Sequence, residues 1–490
     1  MVTLCGACIV EGEVVTLAAE SADVVVIGAG VVGASVAYEL SKRGASVIVV
    51  DTGEHEGYGC SYANAGLLAP SHVEPLATPS NVAAGLRYMF KPASPFYVHP
   101  APRLIPWLAR FVASAGPRRA QALTARMREM ATRSLRLHSE YAGAGLLTGF
   151  RQSGSLDVFL TGKQFERAAR ALRTQPSGPS GPTILSADEA RVLEPSLGEV
   201  TGAIYRPTEA QCATLEFVRA TLAAAERSGT EIHWGRRVQR LLLSGGRISA
   251  VETVDGKLTA DNYVIAAGLG SAGLCESIGI KQPMEGAKGY VVDLSVADSG
   301  PRLPLTFKEL KVVATPYSDR LRLCGTLELG GRPQAINKQR LQAIQDAGKR
   351  GLPRLDVQGT LQTWAGRRPC TPDGVPSIGR SRIRDNLIVA TGHGMWGLTL
   401  APVTGELIAT GVLEGAPTLH EPAFSPDRFG TSHHYKRQSN TLTGPSPTSR
   451  TPSGNSKTPT SCPSRPCTTG PMTTSASTRS PASSPCRPPT

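Results

Sequence analysis

Short runs of apolar, β-branched residues alternate with amphipathic stretches along residues 22–430. Val24–Ile27 is one such run, and it predicts a strand that is buried on both faces. A helical pattern follows over Val31–Lys42 and ends near Gly44, and a second apolar run occupies Val47–Val50. A strand, a turn, a helix and a second strand in this order predict a βαβ unit and an α/β domain with a parallel sheet.

Later periodic segments predict that this domain is discontinuous in sequence. We predict helices at 118–141, Ala187–Leu193, Leu215–Arg227, Gln339–Ala347 and Val403–Leu413, and strands at Arg151–Leu160, Glu231–Trp234, Val238–Leu243, Ile248–Thr253, 262–267, Gly289–Leu294, Leu310–Pro316, Arg320–Thr326 and Leu387–Ala390. The prediction is a Rossmann-like nucleotide-binding domain made of 22–75, 200–280 and 360–430. A second, sheet-rich α+β domain is predicted at 76–199 and 281–359, where substrate would bind, after an N-terminal extension at 1–21.

The turn after the first strand has the glycine spacing of a dinucleotide-binding motif. Gly28 permits a tight turn, Gly30 lets a pyrophosphate approach the backbone, and Gly33 lets the helix pack closely on the sheet. The helix N-terminus then faces the phosphates. Asp51 ends the second strand, 21 residues after Gly30, where a carboxylate accepts hydrogen bonds from a ribose and disfavours a 2′-phosphate.

The positive charge is concentrated in the last 60 residues. The chain of 490 residues has a formal charge of +13, and residues 431–490 contain seven Lys or Arg and no acid, so the first 430 residues carry +6. This tail is rich in Ser, Thr and Pro, which predicts disorder. A glycosylated stalk and a translated non-native reading frame have the same composition. The charge pattern gives no reason to expect a nucleic-acid partner.

The ten dispersed cysteines favour free thiols in a reducing compartment. Cys5 and Cys8 form a CxxC without further ligands nearby, so we predict no metal site. No secretory signal and no apolar run of about 20 residues is evident, which predicts a cytoplasmic protein that does not span a membrane. Pro92–Phe111 is aromatic and Pro-rich; we predict that it packs as a loop, with peripheral attachment to the cytoplasmic membrane as the alternative.

Six segments carry a resemblance to a known family. They are DVVVIGAGVVGASVAYEL from Asp23, SYANAGLLAPSH (61–72), RQSGSLDVF (151–159), GAKGYVVDL (286–294), GRRPCTPDGVPSIG (366–379) and ATGHGMWGLTLAP (390–402). Over about 22–425 the chain resembles D-amino-acid dehydrogenases, a group within the FAD-dependent D-amino-acid oxidase (DAO) family. The last two segments are the most specific, because NAD enzymes with a Rossmann domain have no such closing segment.

The resemblance implies that FAD is the cofactor, bound in an extended form. The implied contacts lie in the glycine turn, at the second strand's acid, in the small-residue loop after it and in the closing segment: Val26, Ile27, Gly28, Ala29, Gly30, Val31, Val32, Gly33, Asp51, Ser61, Asn64, Ala65, Gly66, Gly268, Gly392, Gly394 and Gly397. Amides of the 392–398 turn would place positive potential near the flavin ring, which stabilises its reduced, anionic form.

The resemblance also implies the catalytic residues. An arginine before the Pro of the closing segment, Arg368, would hold the substrate carboxylate, since its two donors match the two oxygens; an ion pair with Asp373 is the alternative. Arg367 would point elsewhere, to the surface or into a salt bridge. Tyr290 would face the flavin or pack in the core. His393, and Lys288 likewise, would line the flavin or bond locally.

Within this family, Cys370 raises the question of covalent flavin attachment, although its position does not match the pattern of relatives that form such a bond. The implied reaction is oxidative deamination of a D-amino acid by hydride transfer from Cα to flavin N5, with electrons passed to a quinone or another acceptor. The alternatives are a glycine, sarcosine or hydroxyproline type of amine oxidase or dehydrogenase on the same fold, an inactive flavin-binding subunit, and an NAD dehydrogenase.

Overall fold

Two large β-sheets organise the chain in the computed structural model, which describes residues 20–56, 59–88, 94–99, 101–174, 178, 181–297, 300–331, 336–415 and 421–431. All of these residues belong to one compact unit, Met1–Leu442. Apart from Glu20, Ser21 and Thr431, the predicted N-terminal extension and the predicted disordered tail lie outside the described residues.

The strands are numbered in chain order. They are β1 (Glu20–Ile27), β2 (Val47–Val50), β3 (Leu67–Leu68), β4 (Phe96–Val98), β5 (Ser155–Phe159), β6 (Thr183–Ser186), β7 (Gly202–Arg206), β8 (Ala210–Gln211), β9 (Glu231–His233), β10 (Val238–Ser244), β11 (Arg247–Thr253), β12 (Gly256–Ile265), β13 (Glu285–Val296), β14 (Leu305–Phe307), β15 (Val312–Pro316), β16 (Leu321–Leu329), β17 (Val357–Cys370), β18 (Ser377–Arg380) and β19 (Leu387–Thr391).

The α-helices are numbered in the same way. They are α1 (Val31–Ser41), α2 (Pro79–Tyr88), α3 (Ile105–Ser114), α4 (Pro117–Gly143), α5 (Gly162–Arg173), α6 (Ala187–Leu193), α7 (Thr214–Arg227), α8 (Ser271–Ser277), α9 (Lys338–Gly351) and α10 (Gly397–Leu413). The predicted helices and strands correspond to these elements, with ends that differ by a few residues in most cases.

The first sheet has the strand order β18-β19-β12-β1-β2-β9, with the β10–β11 hairpin continuing from the start of β12. β1 lies in its centre, parallel to both β2 and β12. The side chains of β1 alternate between two apolar layers: Val24 and Val26 enter one core cluster, Val25 and Ile27 the other. The predicted burial of this strand on both faces is therefore observed.

The second sheet has the order β17-β13-β16-β15-β14-β5-β7-β6, with β4 beside β16. Helix α9 covers one face, which we call the outer face, where Tyr290 and Ile344 share a core cluster. On the opposite, inner face, Val291 and Cys324 pack against Ala63 of the loop that follows β2. The inner face of the second sheet is therefore turned toward the nucleotide-binding side of the molecule.

The predicted domain boundaries at residues 200 and 360 are wrong at the level of strand pairing. β7 pairs antiparallel with β5 and β6, so it belongs to the second sheet rather than to the predicted 200–280 segment. β17 pairs with β13 from Val357 to Cys370, which places the first part of the predicted 360–430 segment in the second sheet as well. Backbone hydrogen bonds to the second sheet, rather than the position of these segments in the predicted nucleotide-binding domain, determine where the two strands lie.

Helix α10 begins at Gly397, six residues before the predicted start, although Pro402 lies inside it. A proline in a helix removes the amide that would bond the carbonyl four residues earlier. Here that carbonyl, on Leu398, contacts His138 Nε2 of α4 at 3.0 Å. The helix can therefore tolerate the proline because a neighbouring side chain satisfies the freed acceptor.

One helical segment, Gly394–Leu413, is apolar and long enough to cross a membrane by length and composition, but most of it is buried within the protein, as a core helix would be. The Pro-rich stretch predicted to pack as a loop instead forms β4 and α3 over its described residues, and Trp107 and Phe111 are buried there.

Candidate active site

The glycine turn between β1 and α1 has the close approaches that its spacing predicts. Gly28 has a φ of +112°, and a Cβ at this position would lie 2.6 Å from the carbonyl oxygen of Ala266 at the end of β12. A Cβ on Gly33 would overlap the carbonyl oxygen of Gly28. Alanine is therefore sterically disfavoured at both positions, and α1 can lie close to the sheet.

Gly30 lets the side chain of Ser61 lie close to the start of α1. A Cβ at residue 30 would lie 2.9 Å from Ser61 Oγ, which accepts a 3.1 Å hydrogen bond from the Val31 amide. α1 has no acidic residue in its first turn and no side-chain cap on Gly30. Its N-terminus therefore keeps the positive end of the helix dipole for an anionic group.

Asp51 lies directly beside this turn. Its carboxylate accepts hydrogen bonds from the amides of Ala29, at 2.6 Å, and Gly53, at 2.7 Å. Val26, Ile27 and Val32 are buried supports of the same turn. The structure thus brings the predicted nucleotide-binding residues of β1, α1 and β2 into one place.

The N-terminus of α10 meets the N-terminus of α1. A Cβ on Gly397 would lie 3.7 Å from Val31 Cγ2, and α10 also begins without an acidic residue in its first turn. Gly392 and Gly394 precede it with φ of +77° and +56°. Gly268 lies at the same turn, where its carbonyl accepts a 3.0 Å hydrogen bond from Thr391 Oγ1. Two positive helix ends therefore face one region.

The small-residue loop at 61–66 connects this region to the second sheet. Arg322 donates to the Asn64 carbonyl at 3.1 Å, and Thr315 Oγ1 donates to the Ala65 carbonyl at 2.6 Å. The Asn64 side chain accepts from the Gly66 amide, and Gly66 has a φ of +74°. The predicted residues of this loop therefore lie between the two sheets.

Arg322 is itself fixed by Asp293. The two side chains are buried and form two hydrogen bonds, each of 2.7 Å. Burial alone would lower the pKa of the Arg322 guanidinium, but hydrogen bonding to the Asp293 carboxylate outweighs it and raises the pKa. The sequence offered no signal for this pair, because its partners come from two strands that are adjacent only in the folded sheet.

Arg368 extends from β17 onto the inner face of the second sheet. Its guanidinium packs over Gly289, where a Cβ would overlap it, and donates to the Thr326 carbonyl at 3.3 Å. Cys324 Sγ lies 3.9 Å from it. Within the described residues, no carboxylate lies within ion-pair distance of Arg368. The alternative of a pair with Asp373 is wrong, because Asp373 pairs with Arg428, at 2.8 Å, and Arg119.

Tyr290 does not face the site. It is fully buried on the outer face of β13, and its hydroxyl donates a 2.6 Å hydrogen bond to Glu328. Lys288 is on the same face, with its ammonium 3.2 Å from Glu328. The prediction of a catalytic Tyr290 at the flavin is therefore wrong, and its alternative, packing in the core, is observed. Of the two roles weighed for Lys288, the structure shows the local contact. Both side chains point away from Arg368, because alternate residues of a strand face opposite sides.

His393 lies within the predicted turn, but its ring is directed into α10. Its Nε2 atom is 3.0 Å from Thr404 Oγ1, and the side chain is buried. Burial lowers the pKa of His393 to about 3, which keeps the imidazole neutral at physiological pH. Of the two roles weighed for it, the structure favours the local hydrogen bond over a catalytic role.

Two neighbours of Arg368 in sequence have other surroundings. Arg367 lies on the outer face with its guanidinium 3.8 Å from Glu285, as expected for a residue in a salt bridge. Cys370 is buried, and burial raises the pKa of its thiol to about 12. A protonated thiol is a poor nucleophile, which gives no support for covalent attachment of a flavin at this residue.

One set of side chains among the described residues has metal-ligand proximity: Glu20, Glu231 and His233 at the edge of the first sheet. Arg236 lies within the same set, 3.4 Å from Glu20 and 2.9 Å from the His233 ring. A fixed cation already balances the Glu20 carboxylate there, so we assign no metal to these residues.

The residues at the two helix ends fit FAD. The α1 N-terminus, which has no acidic residue in its first turn, suits a pyrophosphate, and Asp51 at the end of β2 suits an adenosine ribose. The 61–66 loop and the α10 N-terminus would line the flavin ring. Together with an α/β fold of two sheets, these features are those of an FAD-binding oxidoreductase.

Comparison with known proteins identifies the family. The model for FAD dependent oxidoreductases of the DAO type matches residues 23–410. The D-amino acid dehydrogenase of Paramagnetospirillum magneticum is 35% identical over 425 residues, covering 83% of this chain and 97% of the relative. That of Methylobacterium radiotolerans is 32% identical, covering 83% and 99%. The chain belongs to the DAO family of FAD-dependent oxidoreductases, which confirms the predicted cofactor and the resemblance.

Solved structures share this fold at low identity. Glycine oxidase from Bacillus cereus superimposes with a TM-score of 0.66 at 22% identity, covering 82% of this chain and 99% of that one. L-proline dehydrogenase from P. horikoshii gives the same TM-score at 20% identity, covering 84% and 98%. The predicted mixed α/β fold is confirmed, and the protein is an FAD-dependent amino acid dehydrogenase or oxidase.

Proposed function

We propose that this protein oxidatively deaminates D-amino acids, with Arg368 holding the substrate carboxylate. The observation that carries this proposal is an arginine with no carboxylate partner among the described residues, half-buried on the sheet face turned toward the flavin side. An unpaired guanidinium in a partly desolvated site binds a carboxylate strongly, because two parallel charge-assisted hydrogen bonds can form. The D-configuration is supported by the names of the curated relatives.

In the proposed reaction, the main tasks of the protein are to bind and to orient its substrate. Bound FAD supplies the two-electron acceptor for oxidation of the Cα–N bond. Arg368 fixes the carboxylate and thereby aims the Cα–H bond. The imino acid that leaves is hydrolysed to a 2-oxo acid and ammonia.

The surroundings of Arg368 fit a reaction that needs little acid–base chemistry. Cys324, the neighbouring thiol, is buried, and its pKa is raised mainly by that burial. His393 is neutral and bonded to Thr404, and Tyr290 is on the opposite face of the sheet. The amine must therefore arrive in its neutral form, and we expect turnover to rise with pH as the substrate amine loses its proton.

Arg368→Ala should lower kcat/KM by roughly a hundredfold, or about 3 kcal/mol, because a charged contact to the substrate is lost. Bound FAD should be unchanged, since Arg368 extends from the second sheet. Steady-state kinetics with D-alanine and the visible spectrum check both statements. Arg367→Ala is the matched control, since its side chain lies on the outer face; equal losses in the two variants would remove Arg368 from this role.

An anaerobic titration distinguishes the proposal from its rivals. D-alanine, D-proline, L-alanine and sarcosine are added in turn while the oxidised flavin band at about 450 nm is recorded. We expect the D-amino acids alone to bleach it. Bleaching by sarcosine alone would favour the sarcosine or glycine class, and a flavin that no substrate reduces would indicate a binding subunit. Reoxidation by a quinone analogue, compared with oxygen, tests the prediction that the electrons pass to a quinone or another acceptor.

For location, we propose the cytoplasm, on the observation that the cysteines among the described residues are free thiols. Separation of cell extracts into soluble and membrane fractions tests it. If the protein is recovered with the membranes and salt releases it, peripheral attachment is supported instead.

A further inference from the structure

We propose that Trp364 is a specificity-determining residue whose indole limits the size of the substrate side chain beside Arg368. The inference rests on the proposed function of Arg368 as the carboxylate clamp. It concerns a residue of β17 that lies four positions before Arg368 and, by strand alternation, on the same inner face.

A pair of glycines places the two side chains next to each other. Gly289 of β13 and Gly366 of β17 are direct cross-strand partners. The Arg368 guanidinium occupies the space where a Cβ on Gly289 would lie. The Trp364 indole occupies the equivalent space at Gly366, with Cζ2 and Cζ3 at 2.5 and 2.6 Å from the position of that Cβ.

This arrangement fixes the separation of the clamp and the indole. Directly opposed Cβ positions in antiparallel strands lie about 4.5–5.5 Å apart. The guanidinium fills one of these positions and the indole the other, so an aromatic edge adjoins the clamp. A substrate carboxylate on Arg368 would then bring the Cα substituents to within contact distance of Trp364.

The indole is held in this position from a second side. The ring of Tyr62 lies 5.9 Å from that of Trp364, and its hydroxyl accepts a 2.7 Å hydrogen bond from Gln362. Tyr62 belongs to the 61–66 loop, so the aromatic pair spans the gap between this loop and the second sheet. Trp364 is only partly buried, which leaves part of the indole open to a ligand.

The chemistry of the Trp364 indole favours one class of substrate. A planar apolar surface favours an uncharged side chain, and its closeness to the clamp leaves little room for a large one. We therefore infer a preference for small apolar amino acids such as D-alanine over D-phenylalanine. Trp364→Ala should open this space and raise the ratio of kcat/KM for D-phenylalanine to that for D-alanine by about tenfold or more, the usual scale of pocket discrimination.

The controls separate this inference from the proposed function. Leu361→Ala, on the same strand at a side chain that is 56% exposed, should leave the ratio unchanged. Trp364→Phe, which keeps an aromatic wall of smaller size, should give an intermediate ratio. The melting temperature and FAD content of each variant show whether it is folded, and Trp364→Phe keeps the test informative if Trp364→Ala does not fold.

A folded, FAD-loaded Trp364 variant with the wild-type ratio would overturn the inference while leaving Arg368 as the clamp. A fall in kcat/KM by the same factor for both substrates would also overturn it, since that result indicates a general structural role. If the wild-type protein oxidises no D-amino acid, the proposed function fails first. In that case the increase in melting temperature caused by acetate, and that caused by benzoate, still report the size of the site. If these increases are the same in the wild type and in all Trp364 variants, the inference is rejected.

Discussion

At the scale of single residues, glycines in β13 determine the direction of the neighbouring arginine side chains. Arg367 and Arg368 are adjacent in sequence, yet Arg367 packs over Gly286 on the outer face and Arg368 over Gly289 on the inner face. Neither arginine could take its position if the glycine beneath it carried a Cβ. These two glycines therefore determine which arginine is presented to the substrate.

Gly289→Ala should displace the Arg368 guanidinium and lower kcat/KM for D-alanine by at least about tenfold, because a small misplacement of a clamp is costly. Gly286→Ala is the matched control, since the atoms nearest to its Cβ would be those of the Arg367 side chain. Kinetics of both variants, with FAD content measured in parallel, check the expectation. Similar kinetics in the two variants would show that the clamp adjusts freely to a Cβ at Gly289.

At the scale of elements, α10 combines a proline with a buried histidine from α4. His138 contacts the carbonyl that Pro402 leaves free, and its ring packs at a tilt against Phe217, at 5.1 Å between ring centroids. Burial lowers the pKa of His138 to about 4, although the bond to Leu398 acts in the opposite direction. The ring is therefore neutral and donates from Nε2 to that carbonyl.

His138 should make stability fall as the pH is lowered. Between its unfolded pKa of about 6.5 and its folded pKa near 4, the unfolded chain binds a proton that the folded chain does not. The stability it contributes is therefore complete above about pH 6.5 and decreases by about 2 kcal/mol from pH 7 to pH 5. His138→Gln, which can still donate to Leu398, should flatten this dependence, as measured by the urea midpoint of the holoenzyme at several pH values.

The exposed His55 supplies the control for that measurement. His55→Gln should leave the pH dependence of the midpoint as it is in the wild-type protein. If His138→Gln and the wild type lose stability equally between pH 7 and pH 5, another group must be responsible for the decrease.

The sequence predicted the elements well and the faces of buried strands poorly. The turn after β1, the helix α1 and Asp51 have local signals, and each lies where its pattern indicates. β13 is different, because its first ten residues are all buried and show no polar alternation. A strand buried on both faces gives no indication of which side chains share a face. Tyr290 was misplaced for this reason, and the two alternatives for Lys288 stayed open. Trp364 was missed because its role depends on a cross-strand glycine.

At the scale of the whole molecule, the 61–66 loop joins the two sheets. One end bonds α1 through Ser61 and Val31, while Asn64 and Ala65 accept hydrogen bonds from Arg322 and Thr315 of the second sheet. The loop lies beside the cofactor region. The hydrogen bonds that hold the loop therefore also set the distance between the nucleotide-binding residues and the substrate-binding residues. Cofactor retention should therefore depend on residues that are remote from the glycine turn.

Asp293→Asn should weaken both folding and FAD retention. It removes a buried charge and leaves the Arg322 guanidinium without its two-bond carboxylate partner, and breaking such a pair typically costs about 3–5 kcal/mol. Arg322 also holds the Asn64 carbonyl, so the loop should loosen. The measurements are the melting temperature and the ratio of FAD to protein after gel filtration.

Asp385→Asn is the matched control, because it breaks an exposed pair with Arg247, and such pairs contribute about 1 kcal/mol or less. It should keep its FAD and melt close to the wild type. If Asp293→Asn lowers the melting temperature but retains FAD in full, the Arg322 pair stabilises the second sheet alone. If FAD is lost and is restored by excess cofactor, the loop between the sheets is the element through which a residue of the second sheet controls the cofactor site.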